Sequence, residues 1–140
     1  MDRILIADDE GLRLEGFKGV ILAEFGEKCI VETAKTGRVV IEKAETFHPD
    51  IVFMDIHMPG INGIQAMREI RKFNNSALFY VISAYDKFDY AKEAISIGVE
   101  DYLLKPVNEE ELNRVLKKIS DELTVQWRSE REHQILKETI

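Results

Sequence analysis

Apolar and polar positions along this chain follow two rhythms in turn. Short apolar runs of strand length, with Leu78-Phe79-Tyr80-Val81-Ile82 the clearest, alternate with amphipathic stretches of helix length, and the alternation repeats five times. The runs predict strands over Arg3 to Ala7, Cys29 to Ala34, Ile51 to Met54, Leu78 to Ser83 and Asp101 to Leu104. Three of them are nearly continuous apolar runs, as expected for strands covered on both faces. Strand and helix in regular succession predict a doubly wound, five-stranded parallel α/β sheet.

The helical stretches carry their own punctuation. Asn62 with Gln65, Asp86 with Asp89, and Asn108 with Glu111 each place a capping side chain three residues before a second polar group, the spacing that satisfies orphan N–H groups. Gly98 stands where a helix should end, and His48-Pro49 marks another stop. From Asn108 to Ile140 the pattern predicts one helix, ~50 Å long at 1.5 Å per residue, too long for one side of a small sheet. Leu112, Val115, Leu116, Ile119 and Leu123 form the stripe expected to cover the sheet, and Trp127 extends it by a turn. From Arg128 to Gln134 every residue is polar. The tail either projects as a connector or pairs with another copy, although an a/d heptad is not sustained.

Composition narrows the function classes. With 140 residues, 45% apolar and 32% charged, the chain suits one compact domain plus an appendage. A formal charge of −7 argues against direct nucleic-acid binding. The only cysteine, Cys29, lies in an apolar stretch, so it is expected to pack in the core of a protein from a reducing compartment. No apolar run approaches the ~20 residues of a membrane helix and no signal-peptide h-region is present, so a cytoplasmic protein is expected.

Candidate chemistry gathers at one edge of the predicted sheet. Asp55 follows the third strand and precedes the turn residues Met58-Pro59-Gly60; Asp8-Asp9-Glu10 follows the first strand, and Lys105-Pro106 the fifth. In an open parallel sheet that C-terminal edge is where ligands bind. Each feature has an ordinary alternative: Asp8-Asp9 as a helix cap, Asp55 as a turn residue, Lys105-Pro106 as a loop. Their joint occurrence favours a site. Three carboxylates together would repel and at least one pKa would rise, so a cation is required. Oxygen ligands without a histidine or cysteine cluster favour Mg²⁺, and Lys105 supplies a second, mobile positive charge. Asp55 could then attack phosphorus as a carboxylate nucleophile. Ser83, at the end of the fourth strand, is either a donor to a phosphoryl oxygen or a helix cap. Tyr102 by itself reads as core. His133 lies in a polar stretch, and His57 would matter through its backbone carbonyl more than its ring.

In type, order and spacing these residues resemble the receiver domain of a two-component response regulator over residues 1 to about 122. The resemblance implies a flavodoxin-like sheet in the order 2-1-3-4-5 with an extended C-terminal helix. It makes Asp55 the phosphoaccepting aspartate, Asp9 a direct Mg²⁺ ligand, Asp8 an acidic residue acting through water, and the His57 carbonyl a further metal ligand. Lys105 would bind phosphate, with a cis bond to Pro106. Ser83 and Tyr102 would be the switch residues. The stretches from Ser83 to Ala91 and from Asp101 to Pro106 are similar to those of receivers that precede an AraC-type DNA-binding domain. The implied protein is no enzyme acting on outside substrates. It is a cytoplasmic phosphoprotein that takes its phosphoryl group from a sensor histidine kinase, catalyses its own phosphorylation and dephosphorylation, and dimerises through the fourth helix, fifth strand and fifth helix. Residues 123–140 would lead to a transcriptional output domain outside this chain. No membrane and no direct nucleic-acid contact are expected.

Two other classes compete. A phosphatase of the haloacid-dehalogenase type also uses an aspartate nucleophile and Mg²⁺, but needs a second acid where this chain has His57, and a cap insertion that it lacks. A degenerate, constitutive interaction module would not need the complete pocket.

Overall fold

The computed structural model describes residues 2–84, 87–108 and 110–121, with the side chains of residues 87–89 left aside. Five strands form one parallel sheet in the order β2-β1-β3-β4-β5, with β1 Asp2–Ala7, β2 Cys29–Ala34, β3 Ile51–Met54, β4 Leu78–Ser83 and β5 Asp101–Leu104. The expected strands are present, β1 beginning one residue earlier at Asp2. Between them run α1 Gly11–Phe25, α2 Gly37–Phe47, α3 Gly63–Arg71 and α4 Lys87–Ile97, with a short 3₁₀ turn at Gly26–Lys28 before β2.

Alternation along each strand builds two cores. Leu5 and Ala7 of β1, Val52 and Met54 of β3, and Phe79 and Val81 of β4 point to one face and pack with Val40 and Ala44 of α2 and Ala66, Met67 and Ile70 of α3. Phe53 of β3 points to the other, where it meets Phe17 of α1 edge-on at 4.9 Å and Tyr80 of β4 at 5.5 Å between ring centroids. Cys29 is buried at the start of β2.

The sequence punctuation is legible in the helices. Asn62 and Gln65 form a reciprocal capping box at the start of α3. Thr36 caps α2 through the Val39 N–H. His48 ends α2 in the left-handed region at φ 52°, and Gly98 follows α4 at φ 84°. The cap expected at Asp86 lies outside the described residues. So do Trp127, His133 and the rest of 122–140. The described residues from Asn108 to Asp121 belong to a second compact unit. In it, Asn108 accepts the Glu111 N–H at 2.7 Å and helix α5 covers residues 110–121. Among the described residues no helix is long and apolar enough to cross a membrane.

Candidate functional site

The strand order reverses between β1 and β3, and on both sides of β1 hydrogen bonding continues one residue past the strand ends. Asp8 N–H donates to the Ala34 carbonyl at 3.1 Å, and Asp55 N–H to the Ala7 carbonyl at 2.9 Å. The two aspartates thus leave neighbouring strands with their backbones already fixed. Lys105 N–H donates to the Ser83 carbonyl at 2.8 Å, and the Lys105-Pro106 peptide bond is cis. The loop after Asp55 is drawn tight by α3: Gly63 N–H donates to the Ile56 carbonyl at 2.7 Å. A Cβ on Gly63 would collide with the Asp55 carbonyl oxygen and lie 2.8 Å from the Ile56 Cα, so glycine permits this approach.

These constraints bring the predicted groups together. Lys105 Nζ lies 2.9 Å from Asp8 Oδ2 and 3.0 Å from Asp55 Oδ2, one ammonium bridging two buried carboxylates. The His57 N–H approaches Asp55 Oδ1 at 3.3 Å, and the His57 residue is exposed. Asp9 is exposed beside them, and Asp8, Asp9 and Asp55 each offer an oxygen within 4.8 Å of the others. An all-carboxylate cluster of this size suits a hard cation such as Mg²⁺. Ser83 is fully buried at the end of β4, and Tyr102 is buried in β5. A cleft of about 490 Å³ opens onto the lysine and is lined by Asp8, Arg13, Ile82, Lys105, Pro106 and Val107.

Burial and partners push the two buried carboxyls in opposite directions. Burial favours protonation of Asp8, but the Glu10 N–H at 2.9 Å, Lys105 and Arg13 together outweigh it and hold its pKa below the ordinary value. At Asp55 burial is the largest influence and the Asp8 charge adds to it; Lys105 and the His57 N–H only partly offset them, and the pKa is raised. The rise expected at one of the three carboxylates falls on Asp55, with burial as its main cause and the Asp8 charge as a lesser one.

Sequence reasoning missed Arg13. Its Nη2 lies 3.0 Å from Glu10 Oε2, 3.4 Å from Asp8 Oδ1 and 3.8 Å from Asp9 Oδ1. The signal was present: Arg13 stands three and four residues after Glu10 and Asp9, the spacing at which helical side chains meet.

The response regulator receiver domain model matches residues 4–117. YesN of Bacillus subtilis (strain 168), an uncharacterized transcriptional regulatory protein, is 38% identical over 123 residues. The alignment covers 88% of this chain and 33% of YesN, so the chain spans about a third of that relative's length. Among solved structures, the receiver domain of AraT, a response regulator from Geobacillus stearothermophilus, is 35% identical with a TM-score of 0.77, over 89% of this chain and 97% of that one. The response regulator TrrA from Thermotoga maritima, solved in complex with Mg²⁺-BeF, is 33% identical with a TM-score of 0.72, over 84% of this chain and 98% of that one. The domain match takes in nearly all of the sheet and every residue of the acidic cluster, and the chain belongs to the response regulator receiver domain family.

Proposed function

We propose that Asp55 is the phosphoacceptor of a two-component signalling protein. The observation that carries this reading is the buried Asp55 carboxylate held 3.0 Å from Lys105 Nζ, with oxygens of Asp8 and Asp9 close by at the sheet's switch point. Asp9 and Asp55 would hold the metal ion directly, with Asp8 helping through water and the His57 carbonyl completing the protein's share. The all-oxygen donor set fits Mg²⁺, and TrrA was solved with Mg²⁺-BeF. When bound, the ion neutralises charge that accumulates on the phosphoryl oxygens.

An Asp55 oxygen attacks the phosphorus of a kinase phosphohistidine. The P–O bond forms as the P–N bond breaks, and the departing imidazole nitrogen keeps the electron pair. The product is an acyl phosphate on Asp55, which water later hydrolyses to the carboxylate and inorganic phosphate. Lys105, already between Asp8 and Asp55, moves to a phosphoryl oxygen while keeping its charge. Ser83 donates its hydroxyl to another. The change passes through Ser83 and Tyr102 to α4 and β5 as a population shift. We assign residues 1–122 to the receiver and 123–140 to a connector toward a DNA-binding output domain. The partner is a sensor histidine kinase, the setting cytoplasmic, and the activated state a homodimer.

Intact-mass spectrometry after incubation with Mg²⁺ and a small acyl phosphate tests the reading. One phosphoryl adduct is expected, lost in Asp55→Asn and on chelation of Mg²⁺. No adduct, with the donor shown to be active on another receiver, would overturn it in favour of a constitutive interaction module. Light scattering that stays monomeric with and without a phosphoryl mimic would refute the dimer.

A further inference from the structure

We propose that Arg13 is a latch on the acidic cluster, competing with a divalent cation for Asp8 and Asp9, so that α1 helps set the metal affinity. This rests on the reading of Asp8, Asp9 and Asp55 as a Mg²⁺ site. One guanidinium nitrogen reaches both Asp8 Oδ1 and Asp9 Oδ1, while Lys105 holds Asp8 Oδ2. Both oxygens of Asp8 are thereby engaged by cationic side chains, and an arriving ion must displace one of them or bind through water.

The two cations differ in position. The Lys105 side chain is 14% exposed and deep in the cleft, whereas that of Arg13 is 47% exposed at its rim. Arg13 is therefore the group that an entering ion meets first, and its long stem can leave at little cost. Glu10 gives it somewhere to remain. Glu10 Oε2 is the nearest of the three carboxylate contacts, at 3.0 Å, and Glu10 is outside the metal set. When Asp8 and Asp9 turn to a metal, the guanidinium keeps Glu10. As an ordinary exposed ion-pair network these contacts would be worth little. Here the same charge blocks ligand oxygens and also repels a divalent ion.

Calorimetric titration of Mg²⁺ alone into metal-free wild type, Arg13→Gln and Lys72→Gln tests the latch. Lys72 pairs with Glu69 at the opposite end of α3, so its variant changes net charge equally, away from the site. Arg13→Gln is expected to bind Mg²⁺ roughly three- to tenfold more tightly than wild type, and Lys72→Gln within about twofold. Tighter binding by Arg13→Gln alone, or binding by it where wild type shows none, supports the latch. Unchanged or weaker binding by Arg13→Gln, beside a wild type that binds, overturns the latch and leaves the metal site standing. Equal tightening in both variants overturns it as a general charge effect. No binding by any of the three proteins overturns the metal site and the latch together.

Discussion

At the scale of single residues the site is a problem in charge. Lys105 bridges Asp8 and Asp55, yet the two carboxyls do not share its benefit equally. Asp8 has further donors in the Glu10 N–H and Arg13, whereas Asp55 is more deeply buried and also feels Asp8. In metal-free protein, carboxyl-carbon NMR is expected to show Asp8 titrating below the ordinary value of 3.8 and Asp55 above it. The stability consequences have opposite signs. Asp8 contributes stability that is fully present above 3.8 and lost as pH falls through its depressed folded value. Asp55 contributes stability present below 3.8 and lost as pH rises through its raised folded value. Coincident titrations of the two would refute this account. Glycine matters at this scale too. Gly63→Ala would force a methyl against the backbone of Asp55 and Ile56, neither of which can step aside. The expected cost is about 1–3 kcal/mol by denaturant unfolding, with slower phosphorylation of Asp55. Gly19→Ala, in open space at an exposed position of α1, is expected instead to stabilise by about 0.5–1 kcal/mol.

At the scale of elements, strand ends and helix starts set where the chemistry falls, and one arginine ties the far ends of the helices. Arg71, the last residue of α3, donates to the carbonyls of Ile97 (3.0 Å), Asn75 (3.1 Å), Ala77 (2.6 Å) and Gly98 (3.3 Å), and its guanidinium lies 4.3 Å from the Phe79 ring centroid. It joins the end of α3, the loop before β4 and the end of α4. Arg71→Ala leaves these carbonyls without their charged donor and is expected to cost about 1.5–3 kcal/mol in urea unfolding. Asn62→Ala, which removes only the α3 cap, is expected to cost about 1 kcal/mol. If the two variants were equally stable, Arg71 would be a surface residue in effect. Nothing in the sequence marks Arg71, because its acceptors are backbone carbonyls of the loop before β4 and of the end of α4, which only the fold brings to it. The Asn62 cap was legible because both partners sit three residues apart.

At the scale of the whole molecule, the buried thiol offers a readout of cooperativity. Burial, with some help from Asp2, raises the pKa of Cys29, so it should alkylate slowly at pH 8 until the chain opens. Iodoacetamide labelling in native buffer is expected to be at least about tenfold slower than in denaturant, and equal rates would reveal that β2 opens locally. The sequence by itself determined the element order, because apolar periodicity and capping spacings are local properties of the chain. It also determined which residue types were available for a phosphoryl and metal site, since acidic, basic and hydroxyl residues fall just at or beyond strand ends. Tertiary structure alone decided that Lys105 lies between Asp8 and Asp55, that Asp55 takes the upward pKa shift, and that Arg13 reaches into the cluster. Those outcomes depend on through-space distances and burial among residues as many as 97 positions apart, and such distances exist only once the strands have paired.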